Sequence, residues 1–199
     1  MGTFGPKFCP KTKRITKKEN NVAIHISRNL PKNLTDTMTA VVDVKQRHRI
    51  ECNHTATHLL HQALREVLGT HVEQKGSAVH SKYLRFDFSH KQYLSESEIV
   101  KIEQEVNQAI VSAEDTQIIE TSIEESQKLG AIAFFGEKYG DQVRVLKIAG
   151  DYSTELCGGT HVKNSSEIKS FKIISETSIS SGVRRIEAIS GDLAIKDKA

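Results

Sequence analysis

The sequence predicts an α+β fold, an antiparallel sheet packed against helices. Three observations carry that prediction. Short alternating runs come in hairpin-like pairs, the connections between other runs are long, and no regular strand–helix–strand alternation of a parallel sheet is present.

The elements follow in chain order. Residues 1–20, rich in Lys, Thr, Gly and Pro, show neither helical nor strand period and are expected to be irregular. Asn21 to Leu30 alternates as a strand does, Pro31 and Asn33 mark a turn, and Thr37 to Val44 is a second β-rich run. From Arg49 to Leu68 the period changes to that of a helix. Ile50, Ala56, Leu59, Leu60, Ala63, Leu64 and Val67 form its apolar face, and Gly69 ends it. Ser77 to Ser89 predicts a strand pair turning near His80–Lys82. Ser95 and Glu98 have the spacing of a capping box that opens a long helix, with Ile99, Ile102, Val106 and Ile110 on its buried stripe. A short strand over Thr116–Thr121 precedes a second box, Thr121 with Glu124, whose helix stops at Gly130. Strands are then expected over Gln142–Ala149, Ile168–Ile174 and Val183–Ser190, with Cys157 in the loop between the first two.

Composition excludes several classes. At 199 residues, with 37% hydrophobic and 27% charged content, the chain is an ordinary globular sequence, long enough for one sizeable domain or for one domain and part of another. No run approaches the roughly 20 apolar residues that span a bilayer. No apolar signal region opens the chain, so the cytoplasm is the expected compartment. Cys9, Cys52 and Cys157 are too few and too irregular for a disulfide framework. The first 18 residues hold six Lys or Arg and no Asp or Glu, which reads as a solvated basic arm.

Two half-motifs bear chemistry. His54-Thr55-Ala56-Thr57-His58 places two imidazoles one helical turn apart on one face, where they can share a metal. Cys157-Gly158-Gly159-Thr160-His161 suits a tight loop that aims a thiolate and an imidazole at one point. Either alone is weak in a chain with nine histidines; together they supply four ligands of the kind zinc prefers. No G-x-S-x-G elbow supports a serine hydrolase. A thiol hydrolase with Cys157 as nucleophile and His161 or His58 as base leaves the paired histidines without a purpose. A closed zinc site that only staples the fold is the main alternative.

NHTATHLLHQALREVLGTHVEQKGS (Asn53–Ser77), LRFDFSH (Leu84–His90), FFGEKYGDQVRV (Phe134–Val145), ELCGGTHV (Glu155–Val162) and GVRRIEAIS (Gly182–Ser190) resemble, in unbroken order, the editing domain of bacterial alanyl-tRNA synthetases. LRFDF and CGGTH are the alanine form of a pattern shared with threonyl-tRNA synthetases, and free-standing alanyl-tRNA editing proteins carry that form too. The resemblance implies the fold of the threonyl/alanyl second additional domain, preceded by a partial β-barrel remnant. It divides the chain into a barrel remnant and basic arm at 1–46, a zinc-containing editing domain at 47–192 and a tail at 193–199.

It also implies a reaction, hydrolysis of the ester that joins serine or glycine wrongly to tRNA(Ala). A pocket built for alanine rejects serine only about a hundredfold, whereas a site that hydrogen-bonds the hydroxyl can reject the analogue lacking it by about 10⁴–10⁵. On the resemblance His54, His58, Cys157 and His161 hold Zn2+. Thr57 and Gln74 belong to the substrate pocket, Thr57 facing the serine hydroxyl, and Arg184 lies near the tRNA terminus. Lys75, Arg85, Lys138 and Arg185 are weaker candidates for phosphate contacts. The implied partner is tRNA(Ala), not DNA and not a membrane. The class II ATP-binding motifs are missing, so ATP and Mg2+ would serve only an aminoacylation part outside this chain. The chain is expected to be a fragment of such a synthetase or a reduced free-standing relative. A non-catalytic tRNA-binding module with a structural zinc is the alternative. After His161, Ser166 and Lys169 stand where the family has small glycines.

Overall fold

The computed structural model describes residues 41–133 and 140–197, Asn33, and the backbone of residues 12–19 and 22–27. The chain divides into two compact units, Met1–Val41 and Val42–Ala199. In the first, strands β1 (Thr12–Glu19) and β2 (Val22–Ser27) pair antiparallel. β1 corrects the expectation of an irregular arm. Its Lys/Thr-rich sequence shows no apolar alternation, yet pairing with β2 supplies the ladder that local pattern does not reveal. Pro31 and the first half of the β-rich run Thr37–Val44 lie outside the described residues.

The second unit is organised around helix α1 (Val44–Leu68), which starts a turn and a half before the expected Arg49. Asp43 caps it, its carboxylate accepting from the backbone N–H of Gln46 at 3.0 Å. Val41–Asp43 accordingly form no strand, and Val44 belongs to the helix. The rest follows as β3 (Gln74–Val79), β4 (Leu84–Ser89), α2 (Glu96–Val111), β5 (Gln117–Ser122), α3 (Ile123–Lys128), β6 (Gln142–Ile148), β7 (Ser153–Leu156), β8 (Phe171–Ser180), β9 (Val183–Ser190) and α4 (Asp192–Asp197).

The strands of this unit form two antiparallel sheets, ordered β3-β4-β9-β8 and β5-β6-β7. α1 packs against α2 and against strands of both sheets. This explains why α1 is buried on more sides than its apolar stripe predicts. Between Cys52 and Leu64 the buried positions include Asn53, Thr55, Thr57, His58 and His61 beside the expected Ala56, Leu59, Leu60, Ala63 and Leu64. Leu59, Leu60 and Leu64 meet Phe86 and Phe88 of β4, Ile102 and Val106 of α2, Phe171 of β8 and Ile186 of β9 in one core. Each such side chain contributes about 1.5–3 kcal/mol on burial. Val143, Val145 and Leu156 form a smaller cluster within the three-stranded sheet.

Local signals place most boundaries and miss some. The Ser95–Glu98 capping box is present, Ser95 Oγ accepting from Glu98 N at 3.3 Å and Glu98 returning to Ser95 N at 2.7 Å. The α3 cap is Ser122, bonded by Glu125 N at 3.2 Å, one residue later than expected, because Thr121 is held in β5 opposite Val143. β7 forms where a loop was expected. Ile168 ends a 3₁₀ turn (Ser165–Ile168) and the strand expected to begin there starts at Phe171. Lys169 joins the two at φ +66° and ψ −58°, with Ser170 N donating to Ile168 O at 2.8 Å. That is a γ-turn, a strained conformation for a side chain with a Cβ, at a position where the family resemblance leads one to expect glycine. The stretch read as a tail opens with α4, whose Ala194 is buried.

Candidate metal centre

A helix buried on several sides must partner its polar groups internally. α1 does so, and its partners build the site. Asn53 donates to the carbonyl of His80 at 2.7 Å and accepts from Ser190 Oγ at 2.7 Å, tying α1 to the β3–β4 turn and to β9. Thr57 donates to Asn53 O at 2.8 Å. Thr55 Oγ1 accepts from Val162 N at 3.2 Å, which anchors the end of the loop after β7 against α1.

That loop carries Cys157 and His161 to His54 and His58. The four ligand atoms all lie within 4.8 Å of one another. Cys157 Sγ is 3.6 Å from Nε2 of His54 and 3.3 Å from Nε2 of His161. A tetrahedral ion with bonds of about 2.0–2.1 Å to nitrogen and about 2.3 Å to sulfur sets such ligands about 3.5 Å apart. The side chains present therefore fit a divalent ion of that size and softness.

The outward nitrogens of all three imidazoles are also engaged. Nδ1 of His54 lies 3.2 Å from the carbonyl of Thr160, and Nδ1 of His161 lies 3.2 Å from Thr55 Oγ1. Nδ1 of His58 bonds the carboxylate of Glu155. These contacts leave Nε2 of His54 and His161 turned to the sulfur, the arrangement of outer partners that orients metal-bound histidine. Sequence reasoning missed Glu155 and His61, whose Nδ1 bonds the other oxygen of Glu155 at 2.7 Å. The signal was available: His54, His58 and His61 follow i, i+4, i+7 along one helical stripe.

Electrostatics follow from these contacts. Burial opposes ionisation of the Cys157 thiol, but hydrogen bonds from His161, His54 and His58 outweigh it and draw it down to about 3. Burial also opposes charge on Glu155, yet His58 and His61 bring it down to about 2. His58 is likewise penalised by burial and is raised to about 10 by Glu155 and Cys157. Burial lowers His161 to about 4. The cluster thus presents a thiolate and a neutral His161, donors in the state a metal requires.

Glycine is required at one position of the loop. A Cβ on Gly159 would lie 2.3 Å from Cε1 of His54, so the imidazole occupies the space a side chain would need. Gly158 has open space around its Cβ position. The carbonyl of Gly159 accepts from Nη1 of Arg144 on β6, a third residue that sequence reasoning missed.

The other expected site residues divide. Thr57 and Gln74 line a cleft of about 280 Å³ together with His54, His58 and Cys157. Gln74 stands opposite Phe88, and a bulge falls between it and Gly76, which stands opposite Asp87. Arg184 does not line this cleft. It is 3% exposed, is held through Nε and Nη2 by the carboxylate of Glu176, and lies 4.1 Å from the ring centre of Tyr93. Arg185 bonds Asp87 through Nε at 2.7 Å and Nη2 at 2.8 Å, and Arg85 Nε lies 3.7 Å from the same carboxylate. Lys75 bonds Glu73 at 2.9 Å. Lys138 lies outside the described residues.

Fold and cluster together define a domain type. Residues 143–187 match the family model described as "Threonyl and Alanyl tRNA synthetase second additional domain". The matching relatives are alanine–tRNA ligases. That of Alkaliphilus metalliredigens (strain QYMF) is 58% identical over 159 residues, 80% of this chain and 18% of the relative. Those of Christiangramia forsetii and Porphyromonas gingivalis are 55% identical over 184 residues and 52% over 177, covering 91% and 88% of this chain and 21% and 20% of theirs. The chain belongs to the alanyl-tRNA synthetase family, in the region that carries this additional domain, and spans about a fifth of the length of the curated relatives it matches. No helix among the described residues is long and apolar enough to cross a membrane.

Proposed function

We propose that residues 47–192 form a zinc-dependent editing domain that hydrolyses the ester of serine or glycine wrongly joined to tRNA(Ala). On this reading residues 1–46 are the remnant of a preceding β-barrel, and the chain works in the cytoplasm as part of an alanyl-tRNA synthetase. The observation that carries it is the convergence of His54, His58, Cys157 and His161 beside Thr57 and Gln74 at one cleft.

Those four residues would hold zinc, which would supply Lewis acidity to an ester carbonyl or fix the 3′-terminal adenosine. The chain's own residues supply selectivity. Thr57 has given its proton to Asn53 O, so its oxygen faces the cleft as an acceptor for the hydroxyl of a seryl group. The carboxamide of Gln74 offers both a donor and an acceptor. An alanyl ester leaves these groups unpaired, and a site built on such bonds rejects the shorter substrate by about 10⁴–10⁵. Buried Arg184 is committed to Glu176 and half-buried Arg185 to Asp87, so on this reading Arg184 acts by shaping its region and not as a free cation.

The test is release of serine from Ser-tRNA(Ala) by the full chain, with and without a chelator, beside Ala-tRNA(Ala). Selective, chelator-sensitive release is expected. Equal release from both substrates, or none from zinc-loaded protein, overturns the reading. Gln74→Ala should lower turnover on the seryl substrate while zinc content stays unchanged.

A further inference from the structure

We infer that Glu155 is a positioning residue of the metal centre, fixing His58 in the tautomer that offers Nε2 as ligand and supplying a second negative charge beside the Cys157 thiolate. The inference rests on the proposed metal site and extends it to residues outside the ligand set. Glu155 is 1% exposed, and a carboxylate so deep in the protein persists only when its oxygens are satisfied. Both are: Oε2 by Nδ1 of His58 and Oε1 by Nδ1 of His61 at 2.7 Å.

An ionised carboxylate only accepts, so the proton on each of these bonds belongs to the imidazole. With Nδ1–H of His58 spent on Glu155, Nε2 is the nitrogen that would give up its proton and offer a lone pair to a metal. The other two ligand imidazoles meet neutral oxygens, the Thr160 carbonyl and the Thr55 hydroxyl. Glu155 is therefore the charged member of this outer set. A dication held by three neutral imidazoles and one thiolate would keep one positive charge, and the buried carboxylate bonded to His58 would offset it from a place that water does not reach.

His61 completes the device. It lies one turn beyond His58 on α1, 2% exposed, and holds the second oxygen, so the carboxylate is clamped between two consecutive turns of a rigid helix. β7 delivers Glu155 to this point two residues before the ligand Cys157. Ligand loop and orienting carboxylate thus share one strand, and their separation is set by the backbone alone.

The experiment titrates zinc alone into the full chain against a chromophoric chelator, for the wild type and for Glu155→Gln, which keeps shape and removes charge. Affinity should fall about 10–100-fold in the variant, the usual effect of losing an outer partner of a ligand histidine. A core change away from the centre, Phe171→Leu, should lower the melting temperature and leave zinc affinity unchanged. Long-range ¹H–¹⁵N spectra of the zinc-loaded wild type should show the one proton of His58 on Nδ1, a reading that needs no variant to fold. A wild type that binds no zinc overturns the centre and Glu155's role with it. Normal zinc binding by the wild type with equal affinity in Glu155→Gln, or a proton on Nε2 of His58, overturns only the role of Glu155. Equal loss of affinity in Phe171→Leu reduces Glu155 to a structural role and also overturns it.

Discussion

Two carboxylates of this molecule whose side chains are shielded from solvent solve the same problem with different cations. Glu155 is paired with His58 and His61, and Glu176 is paired with Arg184 beneath Tyr93. Both are removed from water, so each must be neutralised where it stands. Arginine stays protonated at any accessible pH, which makes the Glu176–Arg184 pair a permanent staple. Histidine can exchange its proton for a metal on the far nitrogen while still donating from the near one. The first pair can therefore take part in binding, and the second can only hold the sheet together. Burial of charge marks a place worth inspecting; the kind of cation says what the place can do.

Changes to the two places should separate them cleanly. The largest effect is expected from the metal itself. Zinc at about 1,000 times its Kd should stabilise the wild type by about 4 kcal/mol, read as a rise in melting temperature reversed by chelator. In Cys157→Ala that rise should vanish. Next comes Arg184→Ala, which strands the Glu176 charge in the interior and should cost about 3–5 kcal/mol in denaturant unfolding. Zinc affinity should be untouched, and a loss of metal there would dissolve the distinction between the two pairs.

Gly159→Ala is the third, and it sharpens the metal side. The new Cβ displaces the imidazole of His54, so a strain of about 1–3 kcal/mol should appear as weaker zinc binding more than as lower stability of the metal-free chain. The smallest effect is a gain. Lys169→Gly relieves a backbone conformation that costs a side chain about 1–2 kcal/mol, and thermal melting should rise accordingly. The exposed Lys169–Asp192 ion pair lost with it, 2.8 Å long, is screened by solvent and offsets little of the gain.

How far the sequence reaches differs between the parts of the site. The HxxxH spacing and the CGGTH loop are local, and each half is visible without tertiary knowledge because helix periodicity and glycine content act over a few residues. Glu155 stands inside the ELCGGTHV motif without marking itself, since a carboxylate in a strand is ordinarily solvated and only its burial gives it a purpose. Arg184 shows the opposite limit. The family resemblance puts it near the tRNA terminus, and nothing local reveals that Glu176, on the neighbouring strand, holds its guanidinium. The boundaries show the same division. The Ser95–Glu98 cap is a contact over three residues and was legible. β1 depends on its partner β2 and was not.

By itself the sequence determined the fold class, the order of its main elements and the four side chains able to share a metal, because periodicity, capping and ligand spacing are properties of neighbouring residues. Only the tertiary structure decided that α1 is buried between two sheets, that Glu155 and His61 stand behind His58, and that the arginines are spoken for. Those facts depend on segments remote in sequence meeting in space, where the loss of water decides which polar groups must find each other.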